Sequence, residues 1–139
     1  MAGIVGEVSP REAWAMLEKE PAARLIDVRS DAEWRYAGVP DLSALGKRAV
    51  LITLQQYPTG ERNPRFADEL KALGAAPSDP LLFICRSGQR SRAAAALAAE
   101  LGFTRTYNVA TGFEGPRDAE GHRATISGWK HDGLPWLQE

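Results

Sequence analysis

The feature that most constrains this chain is the alternation of short apolar runs with helix signals along its length. Ile4 to Val8 reads as a strand. Ser9-Pro10-Arg11-Glu12 then opens a helix, with Ser9 as N-cap, Pro10 at the first helical position and Glu12 closing a capping box. That helix runs toward Glu20, and Pro21 ends it. Arg24 to Val28 reads as a buried strand, followed by a helical turn over Ser30 to Trp34. Arg48 to Leu54 is a third strand, and Asn63-Pro64 begins a helix that stops at Gly74. Leu81 to Ile84 is a fourth strand, followed by a helix from about Arg90 to Leu101. Thr104 to Val109 is a fifth, and a last turn or helix is expected near Thr125 to His131.

Alternation of this kind predicts βαβ units, and hence a parallel, doubly wound α/β sheet. A length of 139 residues suits one such core, so a single domain over 1–139 is expected. In a parallel sheet the carboxyl ends of all strands share one edge, where ligands bind. The segments that follow strands are Asp27 to Arg29, Gln55 to Arg62, Cys85 to Arg90 and Ala110 to Thr125, so they are expected to meet on one rim.

The third of these segments carries the chemistry. Cys85 is the sole cysteine and the chain has two histidines, which leaves no internal disulfide and too few soft ligands for a structural zinc site. A formal net charge of −1 argues against nucleic acid or an anionic membrane as the main partner. The first residues, MAGIVGEVSP, carry neither a basic leader nor a long apolar stretch, and no segment approaches the ~20 apolar residues of a membrane span. A cytoplasmic location is therefore expected.

Between Cys85 and the following helix the chain has room to curl its backbone N–H groups toward one spot, with Gly88 supplying a positive φ. The helix N-terminus and nearby guanidiniums favour an anion there, and equally favour the thiolate form of Cys85. A buried apolar filler is the competing reading of a lone cysteine. A phosphate-binding P-loop is excluded because the GxxxxGK[ST] spacing is missing.

Cys85-Arg86-Ser87-Gly88-Gln89-Arg90-Ser91 resembles the active-site loop and helix start of the rhodanese (thiosulfate sulfurtransferase) family in its single-domain form. Leu25-Ile26-Asp27-Val28-Arg29, with Glu33-Trp34 after it, resembles the second signature of that family. NVATGFEG, from Asn108 to Gly115, is similar to its glycine-rich stretch. Gly128-Trp129 and Gly133-Leu134-Pro135-Trp136 resemble its closing segment, so the likeness spans roughly Val5 to Trp136.

The resemblance implies a three-layer rhodanese-like fold: a five-stranded parallel sheet flanked by helices on both faces. It implies a two-step transfer in which Cys85 takes a sulfane sulfur from a small anionic donor such as thiosulfate. The resulting persulfide passes that sulfur to a thiol, cyanide or protein acceptor. No cofactor or metal is implied. The donor-binding loop would be Arg86, Ser87, Gly88, Gln89 and Arg90, with Asp27, Arg29 and Ser91 in support.

Individual roles are expected as follows. Arg90 would hold the sulfonate end of the donor through its planar fork, or else stand in solvent at the helix start. Arg86 is a second anion contact or a solvated rim charge, and Ser91 a helix cap or a site residue. Asp27 is a brace that accepts from loop amides or pairs with Arg90 or Arg92. Arg29 contacts the donor or pairs with Asp31 or Glu33. Trp34, Trp129 and Trp136 are packing residues, with Trp34 at the rim. His122, Arg117 and Arg123 meet an acceptor or lie in a solvated loop.

Three other activities compete. A phosphatase or arsenate reductase of the same fold carries a loop one residue longer than the four residues between Cys85 and Arg90. A persulfide carrier dedicated to a protein partner uses the same chemistry. A binding module on an inactive relative would ordinarily have lost the cysteine.

Overall fold

Two serine capping boxes shape the first third of the chain. The computed structural model describes residues 6–56 and 59–138, so the expected strand start at Ile4 and Val5 lies outside the described residues. After strand β1 (Gly6–Val8), helix α1 (Pro10–Lys19) begins where Ser9 Oγ accepts from the Glu12 N–H at 3.1 Å and the Glu12 carboxylate accepts from the Ser9 N–H at 2.8 Å. Strand β2 (Arg24–Asp27) leads to helix α2 (Asp31–Ala37), where Ser30 and Glu33 make the same exchange. This helix is longer than the turn expected over Ser30 to Trp34, and Gly38 at φ +91° ends it.

The chain continues through β3 (Val39–Pro40), a 3₁₀ turn over Ser43–Leu45, β4 (Val50–Leu51) and α3 (Phe66–Lys71). Strand β5 (Leu81–Ile84), helix α4 (Gln89–Glu100), β6 (Thr106–Val109) and β7 (Trp136–Leu137) complete it. Strands β1, β6, β5, β2 and β4 lie side by side in that order, all parallel. This is the five-stranded α/β sheet expected from the sequence.

Central strand β5 is buried on both faces, which is why Leu81 to Ile84 reads as an unbroken apolar run. Leu81, Phe83 and Cys85 face one core with Ile26, Phe66, Leu70, Ala94, Ala95 and Ala98. Leu82 and Ile84 face the other, with Ala13, Leu17, Phe113 and Trp129. Each large β5 side chain gains roughly 1.5–3 kcal/mol from leaving water. The fully buried alanines of α4 bring the helix close to β5 and β6, so a large side chain at Ala95 would force the layers apart.

Local details refine the sequence reading. Strand β4 is a two-residue ladder, not the whole of Arg48 to Leu54, although the Ile52 and Leu54 N–H groups still donate to the Asp27 and Val28 carbonyls. Residues 125–131 take the turn alternative, as bends followed by a turn. Strands β3 and β7 pair antiparallel in a small second sheet with no counterpart in the sequence reading. Among the described residues, no helix is long and apolar enough to cross a membrane.

Candidate active site

Cys85 stands one residue beyond β5, where that strand leaves the sheet at its carboxyl end, and is 1% exposed. The loop turns at once: Gly88 takes φ +108°, its N–H donates to Cys85 Sγ at 3.2 Å, and α4 begins at Gln89. A side chain cannot occupy position 88, because its Cβ would lie 2.2 Å from the Ala110 carbonyl oxygen. Helix α4 thus starts one residue earlier than expected, with Gly88 as its cap. Ser91, a candidate for that cap, is instead buried inside the first turn with its Oγ 3.2 Å from Cys85 Sγ.

A polar network backs the sulfur. Asn108, buried on β6, donates through Nδ2 to the Gly88 carbonyl at 3.1 Å and to Glu7 at 3.0 Å, and its Oδ1 faces the Ser91 hydroxyl. Arg92 donates to both oxygens of Glu7 at 3.1 Å, and its guanidinium holds Glu7 below the usual carboxylate range. The glycine-rich stretch closes over the loop: the Phe113 N–H donates to the Cys85 carbonyl, and the Glu114 and Gly115 N–H groups to that of Arg86. Gly112 is required there at φ +71°, since a Cβ would sit 2.5 Å from the Arg86 carbonyl oxygen.

Asp27 and Arg29 depart from expectation. Both are fully buried, and they bind each other: Arg29 Nη2 donates to Asp27 Oδ2 at 2.6 Å and Nε to Oδ1 at 2.9 Å. Asp27 therefore braces Arg29, not Arg90 or Arg92, and it also accepts from the Arg29 backbone N–H, at 3.1 Å. Arg29 pairs with neither Asp31 nor Glu33, and its zero exposure removes it from reach of a donor. Its Nη2 also donates to the Gly38 carbonyl at 2.7 Å, and the guanidinium lies 4.3 Å from the centroid of the Phe113 ring. These contacts fix the end of α2 and the turn above Cys85 from below.

Arg90 is not free in solvent: it is paired. Its Nη1 and Nη2 donate to the two Glu33 oxygens at 2.6 and 2.8 Å. Burial alone would raise the Glu33 pKa, but the Arg90 hydrogen bonds and charge, the Ser30 N–H and the charge of Arg29 outweigh it and bring it down to about 2.

The expected rim forms. A groove of about 860 Å³ is bordered by Ser30, Glu33, Gln55, Arg86, Arg90 and Glu114, which follow four different strands of the main sheet. Arg86 and Gln89 are exposed and Ser87 is half-buried. Trp129 is buried, Trp34 half-buried and Trp136 exposed. In the long loop, Asp118 accepts from the Glu120 and His122 N–H groups and from Thr125 Oγ1, while Arg123 donates to the Gly115 carbonyl at 2.8 Å. His122 and Arg117 are exposed there.

Asn108, Glu7 and the Glu33–Arg90 pairing were not read from sequence. Asn108 carried a signal: it is a polar residue inside an apolar buried strand, and such a group needs partners. Among the described residues there is no group of three or more His, Cys, Asp or Glu side chains arranged to hold a metal ion.

Residues 5–139 match the family model of the STR4 middle domain. A crystal structure of Rv0390 from M. tuberculosis is 47% identical and superposes with a TM-score of 0.89, covering 99% of this chain and 100% of that one. Thiosulfate sulfurtransferase GlpE of Actinobacillus pleuropneumoniae serotype 3 is 31% identical over 97% of this chain and 95% of its own. The polysulfide-sulfur transferase of Wolinella succinogenes, 22% identical, shares the fold over 97% of this chain and 80% of its own, with a TM-score of 0.63. With its cysteine loop set at the carboxyl edge of this five-stranded sheet, the chain belongs to the rhodanese-like sulfurtransferase family.

Proposed function

We propose that the protein moves a sulfane sulfur from thiosulfate or a similar donor to a thiophilic acceptor through a persulfide on Cys85. The Cys85 thiolate attacks the outer sulfur of the donor. The donor S–S bond breaks, its electron pair leaves with sulfite or a thiolate, and a new S–S bond forms on Cys85. An acceptor thiolate, cyanide or a protein nucleophile then attacks the outer sulfur and regenerates the Cys85 thiolate. Charge and atoms balance in both steps without a redox partner.

One observation carries this reading: Cys85 Sγ lies at a helix start, 3.2 Å from the Gly88 N–H and 3.2 Å from Ser91 Oγ. Donors set before the reaction favour an anionic sulfur over a neutral one. Arg86, at the mouth of the adjoining groove, suits the charged end of a small donor. The 31% identity to thiosulfate sulfurtransferase GlpE of Actinobacillus pleuropneumoniae supports the same reading.

Intact-mass measurement after incubation with thiosulfate tests it. The wild-type chain should gain one sulfur atom, removable by cyanide, and Cys85→Ser should gain none. Failure to acquire sulfur from any sulfane donor would overturn the reading. Turnover of an aryl phosphate at a rate comparable to thiosulfate would favour a phosphatase instead.

A further inference from the structure

The groove beside the cysteine loop is lined by charges of both signs, Glu33 and Glu114 together with Arg86 and Arg90. Arg86 and Arg90 both carry the planar fork that suits a sulfonate, but on Arg90 the Glu33 carboxylate occupies both ends of it at 2.6 and 2.8 Å. For Arg90 to take a sulfonate, this pair must open and leave the Glu33 carboxylate, 21% exposed, beside a second anion. The groove, at about 860 Å³, is open to solvent and has the volume of pockets that take organic ligands, roughly 300–1,000 Å³. Tyr36 and Ala37 add apolar surface to its wall.

Resting on the reading that Cys85 accepts sulfane sulfur, we propose that Glu33 is a specificity-determining residue. It withholds Arg90 from dianionic donors such as thiosulfate and directs the site toward persulfides of organic thiols. Such a donor has no sulfonate to place and has a body that the apolar wall can hold. The Cys85 thiolate attacks the outer sulfur of R–S–SH, the S–S bond breaks toward R–S⁻, and Cys85–S–SH forms. Hydrogen, sulfur and charge are conserved.

Glu33 is also the last member of the α2 capping box, since its Oε1 accepts from the Ser30 N–H at 3.2 Å. Glutamine fulfils the same capping role, so Glu33→Gln separates the two functions: it keeps the cap and removes the charge.

The test compares kcat/KM for thiosulfate with kcat/KM for an uncharged-body probe, N-acetylcysteine methyl ester persulfide. In Glu33→Gln the thiosulfate-to-persulfide ratio should rise at least about tenfold, through a lower KM for thiosulfate. Adding Arg90→Gln to that variant should cancel the rise, because the gain depends on a freed Arg90. An unchanged or lower ratio in Glu33→Gln overturns the proposal. The wild-type chain decides independently of any variant: a higher kcat/KM for thiosulfate than for the persulfide also overturns it. If mass measurement finds no sulfur on wild-type Cys85 from either donor, the sulfur-transfer reading itself fails. If Cys85 loads and the ratio does not move, only the role of Glu33 fails.

Discussion

The Ser91 hydroxyl lies between two buried atoms that can each accept its single proton: Asn108 Oδ1 and, at 3.2 Å, Cys85 Sγ. The orientation of the Asn108 amide is fixed, because its Nδ2 faces two acceptors, Glu7 and the Gly88 carbonyl. Toward a thiol, Ser91 is free to donate to Asn108 and accept from the S–H. Toward a thiolate, the hydroxyl must turn to the sulfur, and Asn108 Oδ1 gives up its donor. One rotor therefore follows the charge of Cys85.

Ser91→Ala removes that rotor and strands a buried carbonyl oxygen. A loss of about 1–3 kcal/mol is expected in urea unfolding, together with slower sulfur loading of Cys85 by mass measurement. Unchanged stability would mean that Asn108 does not depend on Ser91.

Asp27→Ala leaves the Arg29 guanidinium buried without its counter-charge and should cost about 3–5 kcal/mol. Replacing both members, Asp27→Leu with Arg29→Met, should recover much of that loss. Equal damage from the single and double variants would show that the pair does not act as a unit. Denaturant midpoints measure both.

Gly88→Ala and Gly102→Ala place a methyl group at nearly the same φ, +108° and +106°. At Gly102 the Cβ meets nothing within 4 Å, so only the conformational cost of about 1–2 kcal/mol applies. At Gly88 it meets the Ala110 carbonyl, and the loss should exceed that of Gly102→Ala, with sulfur loading of Cys85 falling as well. Similar losses at both sites would count against a crowded loop.

The Glu33–Arg90 pair gives stability a defined pH dependence. The folded-state pKa of Glu33, about 2, lies below the ordinary glutamate value of 4.5, so its contribution is complete above about 4.5 and disappears as pH falls through about 2. Thermal unfolding should therefore separate wild type from Glu33→Gln near neutral pH, and the two curves should converge toward pH 2. A gap that persists at that pH would place the effect elsewhere.

The main sheet and the first helix were legible because their signals are local. Leu81 to Ile84 is one unbroken apolar run, and the Ser9–Glu12 box closes within four residues, whereas the matching Ser30–Glu33 box went unread and only a turn was expected there. Strands β3 and β7 were not, since two-residue strands paired across most of the chain leave no periodicity. The location of Cys85 followed from strand and helix boundaries alone. The partners of Asp27 and Arg90 did not, because an aspartate beside a cationic loop has several arginines within reach. The spacing of Asp27 and Arg29, two apart on an extended chain and so on one face, was the overlooked signal.

The three N–H bonds from residues 113–115 to the carbonyls of Cys85 and Arg86 do more than hold two loops together. A trans peptide is a rigid plate whose carbonyl and amide edges face opposite ways. Pinning the Cys85 and Arg86 carbonyls to the glycine-rich turn therefore aims the amides of Arg86 and Ser87 away from it. The turn works as a jig, setting the dipoles of the cysteine loop before any substrate arrives.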